Sequence, residues 1–355
     1  MSIPEKMMGV FKTAPGYDQM DFYELDVPKA EGDKVLIKVA FTGICGSDIH
    51  TFKGEYINPT EPVVLGHEFA GVVVAVGDKV TKVKVGDRVT SETTYETSTD
   101  IYTHDKLYNL AMTRKGIGSQ QNGSMANYVL TREESVHILP DTLSYEGAAM
   151  TEPLACCVHA MYQKSQLSLH DKIIIMGPGP IGLLLLQIAK HLGAFVIMTG
   201  ITQDAERLAF AKELGADVVV DTLTEDLESI VMEHTNGYGV DKAYDASGAA
   251  PAVNQVFPLM KKRGRFVQVG LFAKHKVELD TNAIIQREIE YVGSRSQNPF
   301  DWPIAIHLLN TGAINIEKMI TKKFPLEEWR EAFESVMGGK EYKVLIESNP
   351  DDFDR

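Results

Sequence analysis

Four residues carry a combination of donor types that could hold a metal ion. In LGHEFAG, residues 65–71, His67 and Glu68 stand side by side between glycines, directly after the apolar run PVV. A buried strand rarely ends on two adjacent titratable groups without a use for them. Upstream, TGICGSDIH (42–50) places Cys45 in a glycine-flanked turn after an apolar strand, and TEPLACCVHA contributes Glu152. Thiolate, imidazole and carboxylate together suit zinc, with one coordination position left open for catalysis. Taken singly, each has a plainer reading: a packed cysteine, an ion-pair network, a helix cap. Their coincidence in one chain with the pattern described next favours the metal.

That pattern is MGPGPIG, which sets Gly177, Gly179 and Gly182 between the strand IIIM and the helix IGLLLLQIAKHLG. The first glycine makes the turn, the second admits a pyrophosphate, and the third lets helix and strand pack closely. Pro180 and Ile181 open the helix, whose positive dipole end faces the phosphates. Ser247, Val269 and Gly270, at later strand ends, complete the expected cofactor set with Thr199, Thr202 and Arg207. NAD-preferring folds usually end the second strand on a carboxylate that holds the ribose. Here FVIMT runs into Gly200, Ile201 and Thr202, and the first acid is Asp204. Either Asp204 turns back onto the ribose, or Thr199, Thr202 or Arg207 meets a 2′-phosphate; the reading leans to use of both NAD and NADP.

The elements that must position these groups fall into two blocks. KVLIKVAF, EFAGVVVAV and GDRVTSE are short β-branched runs cut by turns. From about residue 155, strands and helices alternate, which indicates βαβ units on a parallel sheet. A helix is expected near 253–261 and a strand at RFVQVG; the strand-like YKVLIES reads as a return to the first block. A length of 355 residues suits two domains. The formal charge of −14 argues against nucleic acid, since no basic stripe could neutralise phosphates. Three cysteines, two of them adjacent, make no disulfide framework and suit a reducing compartment. The start lacks an apolar signal core, and the longest apolar stretch is broken by Gly-Pro-Gly-Pro. The expectation is a soluble cytoplasmic protein without a membrane partner.

GICGSDIH, GHEFAGVVVAVGDKVTKVKVGDRV, EPLACCVHA and MGPGPIGLLLLQIAK resemble the zinc-dependent medium-chain alcohol and polyol dehydrogenases over nearly the whole chain. Glutamate after the histidine, and EP as the third element, place the resemblance in the sorbitol-dehydrogenase-like branch. APGYDQM, RKGIGSQQNGSMANYVL and VGSRSQNPFDWP point within it to bacterial dehydrogenases of pentitol phosphates such as D-arabitol phosphate. The resemblance implies an α/β protein: a GroES-like β-rich catalytic domain over 1–154 and 292–355, and a Rossmann domain over 155–291. It implies zinc on Cys45, His67 and Glu68, with Glu152 either the fourth ligand or the partner of a zinc-bound water. Ser47 would take the substrate's hydroxyl proton and His50 would pass it to solvent. A homo-oligomer, dimer or tetramer, is also implied. The chemistry agrees, because hydride loss from a secondary alcohol requires the alkoxide first.

The family often holds a second, structural zinc through four cysteines. In ETTYETSTDIYTHDKLYNLAM the matching positions are Thr97, Asp100, Thr103 and Ala111, and neither His104 nor Asp105 makes good the loss. One zinc is expected, and a lobe ordered by packing of Tyr102, Leu107 and Tyr108 or by a subunit contact. A phosphorylated substrate needs a cation; Arg295, Lys53, Arg114 and Lys115 are candidates, with Arg295 favoured. Glu152 is also expected to meet the substrate. Unphosphorylated polyols, a non-catalytic NAD(P)H sensor or a zinc-free quinone reductase are the rival readings.

Overall fold

The computed structural model describes residues 3–55, 60–274, 276–350 and 352–353. The chain divides into two compact units: Met1–Ala155 with Gln297–Gly312 and Ile316–Arg355, and Cys156–Ser296 with Ala313–Asn315.

The first unit is built around the strand Lys34–Gly43, whose near-continuous apolar run is buried along almost its whole length. It pairs antiparallel with Glu68–Val76, Tyr128–Arg132 and Lys343–Glu347. One strand can serve three partners because register shifts between Leu36/Ile37 and Val39/Phe41 bend it from one neighbour to the next. The full sheet has seven strands, continuing through Arg88–Ser91 and Val136–Ile138 on one side and Ile320–Pro325 on the other. At the end of the central strand, Gly43 stands opposite Glu68 on one side and Leu345 on the other. A separate three-stranded sheet, Met20–Asp26, Lys6–Lys12 and Val63–Val64, packs Val10, Phe11 and Val64 into a core with Leu36, Met125 and Phe333.

The second unit is a six-stranded parallel sheet in the order Val218–Asp221, Phe195–Gly200, Lys172–Met176, Val240–Asp245, Met260–Gln268, Glu290–Gly293. This is the doubly wound order, with the strand sequence reversing beside Lys172–Met176. Helices cover both faces of such a sheet, so its strands must be apolar throughout; Ile173, Ile174 and Ile175 are all fully buried. One expectation is corrected: the helix near 253–261 spans only Ala250–Val256, followed by a 3-10 turn Phe257–Leu259, and the strand starts at Met260. Pro258 has no N–H to continue the helical ladder. Among the described residues, no helix is long and apolar enough to cross a membrane.

Candidate active site

Cys45 is held at the foot of the helix Gly46–Phe52. Asp48, in that helix's first turn, reaches back and accepts from the Cys45 backbone N–H at 2.9 Å. Its other oxygen lies 3.8 Å from Nδ1 of His67. His67 follows Gly66, whose φ of +90° and closeness to the Met125 backbone exclude a side chain there. Glu68 begins the strand Glu68–Val76 and is buried. A sulfur of Cys45, a ring nitrogen of His67 and a carboxylate oxygen of Glu68 all lie within 4.8 Å of one another.

Two groups that sequence reasoning missed complete the surroundings. Lys343, buried in the strand Lys343–Glu347, pairs with the Glu68 carboxylate and donates to the Ile44 carbonyl at 3.1 Å. Gly43 makes room for this pair: a Cβ there would collide with the Glu68 carboxylate and stand 2.7 Å from Lys343 Cε. The second is Asp48. Its position three residues after Cys45, at the start of a short helix, is a signal that could have been read.

The charges show what the site wants. Burial pushes the carboxyls of Asp48 and Glu152 above their ordinary range. Burial works against a protonated His67, yet the charges of Asp48, Cys45 and Glu152 outweigh it and hold the imidazole well above its usual pKa. Burial likewise opposes the Lys343 cation, and Glu68, Cys45 and Glu152 more than compensate. The pocket therefore draws positive charge into a buried space. A sulfur, an imidazole and a carboxylate in such a space fit a divalent zinc ion.

Glu152, in the first turn of the helix Thr151–Val158, lies outside the trio but close enough to feel His67 and Glu68. Its Oε1 accepts from Gln297 Nε2 at 3.3 Å, and the same amide donates to Thr93 Oγ1 at 3.1 Å. Thr93 also accepts from Arg114 Nη2 at 2.5 Å, while Arg114 Nε donates to Thr94 Oγ1 at 2.9 Å. Ser47 is half-buried two residues after Cys45. His50 is exposed, its Nδ1 2.8 Å from Glu55 Oε2. Lys53 is an exposed residue capping the helix end, and Lys115 and Arg295 are exposed too.

In the second unit, Gly177 adopts φ +92°, and a Cβ on Gly182 would collide with the Gly177 carbonyl oxygen. Gly179 has open space where a Cβ would be, at the mouth of the helix Pro180–His191, with Pro180 and Ile181 in its first turn. Ser247 donates to Asp245 Oδ1 at 2.6 Å, and the N–H groups of Val269 and Gly270 both donate to the Asp245 carbonyl, so these strand ends are tied together. Thr199 is buried and Arg207 half-buried. The hydroxyl of Thr202 donates to Asp221 at 2.7 Å. Asp204 turns back to the strand end, accepting from the Ile201 N–H at 3.1 Å and resting against Gly200.

The lobe that lacks thiols has its own frame. Asp100 caps the short helix Ile101–His104 and also accepts from Met112 N–H at 2.8 Å; the Thr103 hydroxyl accepts from the Asp100 N–H. Tyr108 is buried, donates to Glu134, and lies under the Arg132 guanidinium at 4.5 Å. Tyr102 and Leu107 are half-buried.

A β-rich unit carrying a Cys-His-Glu cluster, joined to a doubly wound sheet with a glycine loop, defines a metal-dependent dinucleotide dehydrogenase. Residues 31–141 match the alcohol dehydrogenase GroES-like domain, and residues 180–311 the zinc-binding dehydrogenase domain. The chain is 74% identical to a D-arabitol-phosphate dehydrogenase of Enterococcus avium, covering 98% of this chain and 99% of that one. It is 45% identical to a sorbitol dehydrogenase of Halalkalibacterium halodurans, covering 96% and 99%. Among solved structures, the 2R,3R-butanediol dehydrogenase of Bacillus subtilis superposes with a TM-score of 0.87 at 32% identity, covering 97% of this chain and 100% of that one. The chain therefore belongs to the zinc-dependent medium-chain dehydrogenases, in the sorbitol-dehydrogenase-like branch, and is an NAD(P)-linked oxidoreductase.

Proposed function

We propose that the protein oxidises a secondary alcohol of a pentitol phosphate, such as D-arabitol phosphate, to the ketose phosphate. The observation that carries this reading is the Cys45, His67, Glu68 cluster in a chain 74% identical to a D-arabitol-phosphate dehydrogenase. Cys45, His67 and Glu68 would hold one zinc, with Glu152 as fourth ligand or as partner of a water. When bound, zinc lowers the pKa of the substrate hydroxyl and stabilises its alkoxide. Asp48 orients the His67 ring, and Lys343 holds the Glu68 carboxylate. Ser47 accepts the hydroxyl proton, and exposed His50 delivers it to solvent while Glu55 fixes its ring. Gly177, Gly179, Pro180, Ile181 and Gly182, with Thr199, Thr202, Arg207, Ser247, Val269 and Gly270, would hold NAD or NADP, which would supply the hydride acceptor. Asp204, back at the strand end, biases that choice toward NAD without closing it to NADP. The edge strand Glu290–Gly293 and exposed Ile285 in the preceding helix support a homo-oligomer, which sedimentation would size.

Zinc-loaded enzyme should reduce NAD and NADP with D-arabitol phosphate, read at 340 nm. Cys45→Ser should lose metal and at least ~100-fold in kcat, since Lewis-acid stabilisation is worth several kcal/mol. A folded Cys45→Ser variant with full metal content and wild-type kcat would sink the assignment.

A further inference from the structure

The second unit carries a basic cavity that the dehydrogenase reaction does not use. We propose that this cavity binds a small phosphorylated anion, of the phosphate monoester class, at a site separate from the cofactor loop.

Five cations and three acids line the cavity, whose volume of about 460 Å³ suits a small ligand. Each acid is already taken: Asp171 pairs with Lys242, Asp241 with Lys261 at 2.8 Å, and Glu290 with Arg265. Two cations remain on the wall, Lys262 and Arg263. Among the described residues, no side chain pairs with the exposed Lys262 ammonium. Arg263 meets only Glu288, at 4.0 Å, with 84% and 78% of the two side chains exposed. An ion pair so open to water contributes little. The cavity therefore keeps about two positive charges, on a chain whose formal charge is −14. A phosphate monoester carries nearly two negative charges at neutral pH and matches them. The acids on the wall repel an extended polyanion, which favours a compact occupant.

A bulge brings these cations to the wall. The strand Met260–Gln268 pairs with Val240–Asp245 at Met260 opposite Val240, and again at Arg265 opposite Lys242. Asp241 alone thus faces the four residues 261–264, and the surplus is thrown out of the ladder. Gly264 permits the return, since a Cβ there would stand 2.8 Å from the Lys261 carbonyl oxygen. Arg263 takes φ +62°, and Gln166, on the same wall, takes φ +52°. Non-glycine residues held in the left-handed region concentrate at ligand sites, where strain is retained for a use. The cavity lies at the starting ends of the parallel strands, whereas Ser247, Val269 and Gly270 follow their finishing ends. About 20 Å of extended strand separates the two, so the occupant is not the cofactor's own phosphate.

The test uses zinc-loaded enzyme, saturated with NADH to fill the cofactor site, and radiolabelled inorganic phosphate as the probe. Equilibrium dialysis measures the binding and hydrogen exchange locates it. Wild type should bind phosphate saturably, and amides over 261–265 should gain protection. The double variant Lys262→Ala with Arg263→Gly should weaken that binding at least ~10-fold, the effect of one lost charged hydrogen bond. Its kcat and KM for NAD should not change. Glycine accepts a positive φ, so the variant should melt no lower than wild type, which separates lost binding from lost folding. Lys262→Glu, which leaves the backbone of Arg263 alone, should weaken binding as well. Wild-type affinity in either variant overturns the proposal, as does phosphate protection confined to other segments. Binding abolished by chloride at about 0.15 M would show general charge attraction in place of a site, and overturns it equally.

Discussion

Lys343 is the least expected residue at the metal centre, because a cation there competes with the metal for Glu68. Its place follows from electrostatics: Cys45, Asp48, Glu68 and Glu152 crowd one buried space, and Lys343 offsets part of that charge. Breaking a buried pair by removing one partner costs about 3–5 kcal/mol, because the other charge is stranded. Lys343→Met should therefore lower the stability of chelator-treated protein by about that much, and of zinc-loaded protein far less, since the metal then satisfies Glu68. Urea unfolding with and without chelator measures both; equal losses would remove Lys343 from the site. Cys45, His67 and Glu68 were legible because unusual residue types sit at short spacing beside glycines. Lys343 was not, since it reads as an ordinary residue of YKVLIES and meets Ile44 across 299 positions of sequence. Thr93 and Gln297 were equally silent, as uncharged side chains announce nothing until they are seen to link Glu152 to Arg114.

Among the elements, the glycine loop was readable because its glycines fall between a strand and a helix. Gly177 takes a positive φ, Gly182 packs against the Gly177 carbonyl, and Gly179 leaves open space at the helix mouth. Gly182→Ala should therefore be severe: the new methyl meets the Gly177 carbonyl oxygen, and the loop or the helix Pro180–His191 must shift. NADH titration by fluorescence should show at least ~10-fold weaker binding, consistent with overpacking costs of about 1–3 kcal/mol; unchanged affinity would contradict this account. The thiol-free lobe was readable only as a loss. Its replacement order comes from the Asp100 cap and from the stack of Arg132 on Tyr108. The Asp100 carboxyl sits below its ordinary range, chiefly because the Met112 and Thr103 N–H groups donate to it. A depressed native pKa contributes stability that is present above the unfolded value and lost as pH falls through the native one. Protection of the amides over 100–112, measured against their intrinsic exchange rates at each pH, should therefore fall on acidification below about pH 4, and at neutral pH in Asp100→Ala. Equal protection in wild type and variant would place the order elsewhere. One zinc per chain is the matching expectation for metal analysis, and a ratio near two would reopen the lobe as a site.

At the scale of the whole molecule, two patterns of hydropathy identify two units: short β-branched runs for one, alternating strands and helices for the other. What the pattern leaves open is the cofactor's second strand end, where the first acid falls four residues beyond Gly200. The backbone turn that returns Asp204 to Gly200 is a local geometry that composition does not encode. Asp204→Ser should raise NADP over NAD use severalfold by removing like-charge repulsion of the 2′-phosphate; a ratio that does not move would show that the carboxylate faces away. The strand Lys343–Glu347 has a further consequence, for the order of events during synthesis. It pairs with Lys34–Gly43, yet it leaves the ribosome only after the whole of the second unit has been made. The parallel sheet can fold while the first unit still waits for its central neighbour, since domains fold as units as they emerge. Until then Glu68 has no Lys343, and the nascent metal centre is a cluster of acids without its built-in countercharge. Stalled chains lacking residues beyond about 340 should thus bind dinucleotide before they gain a settled metal site.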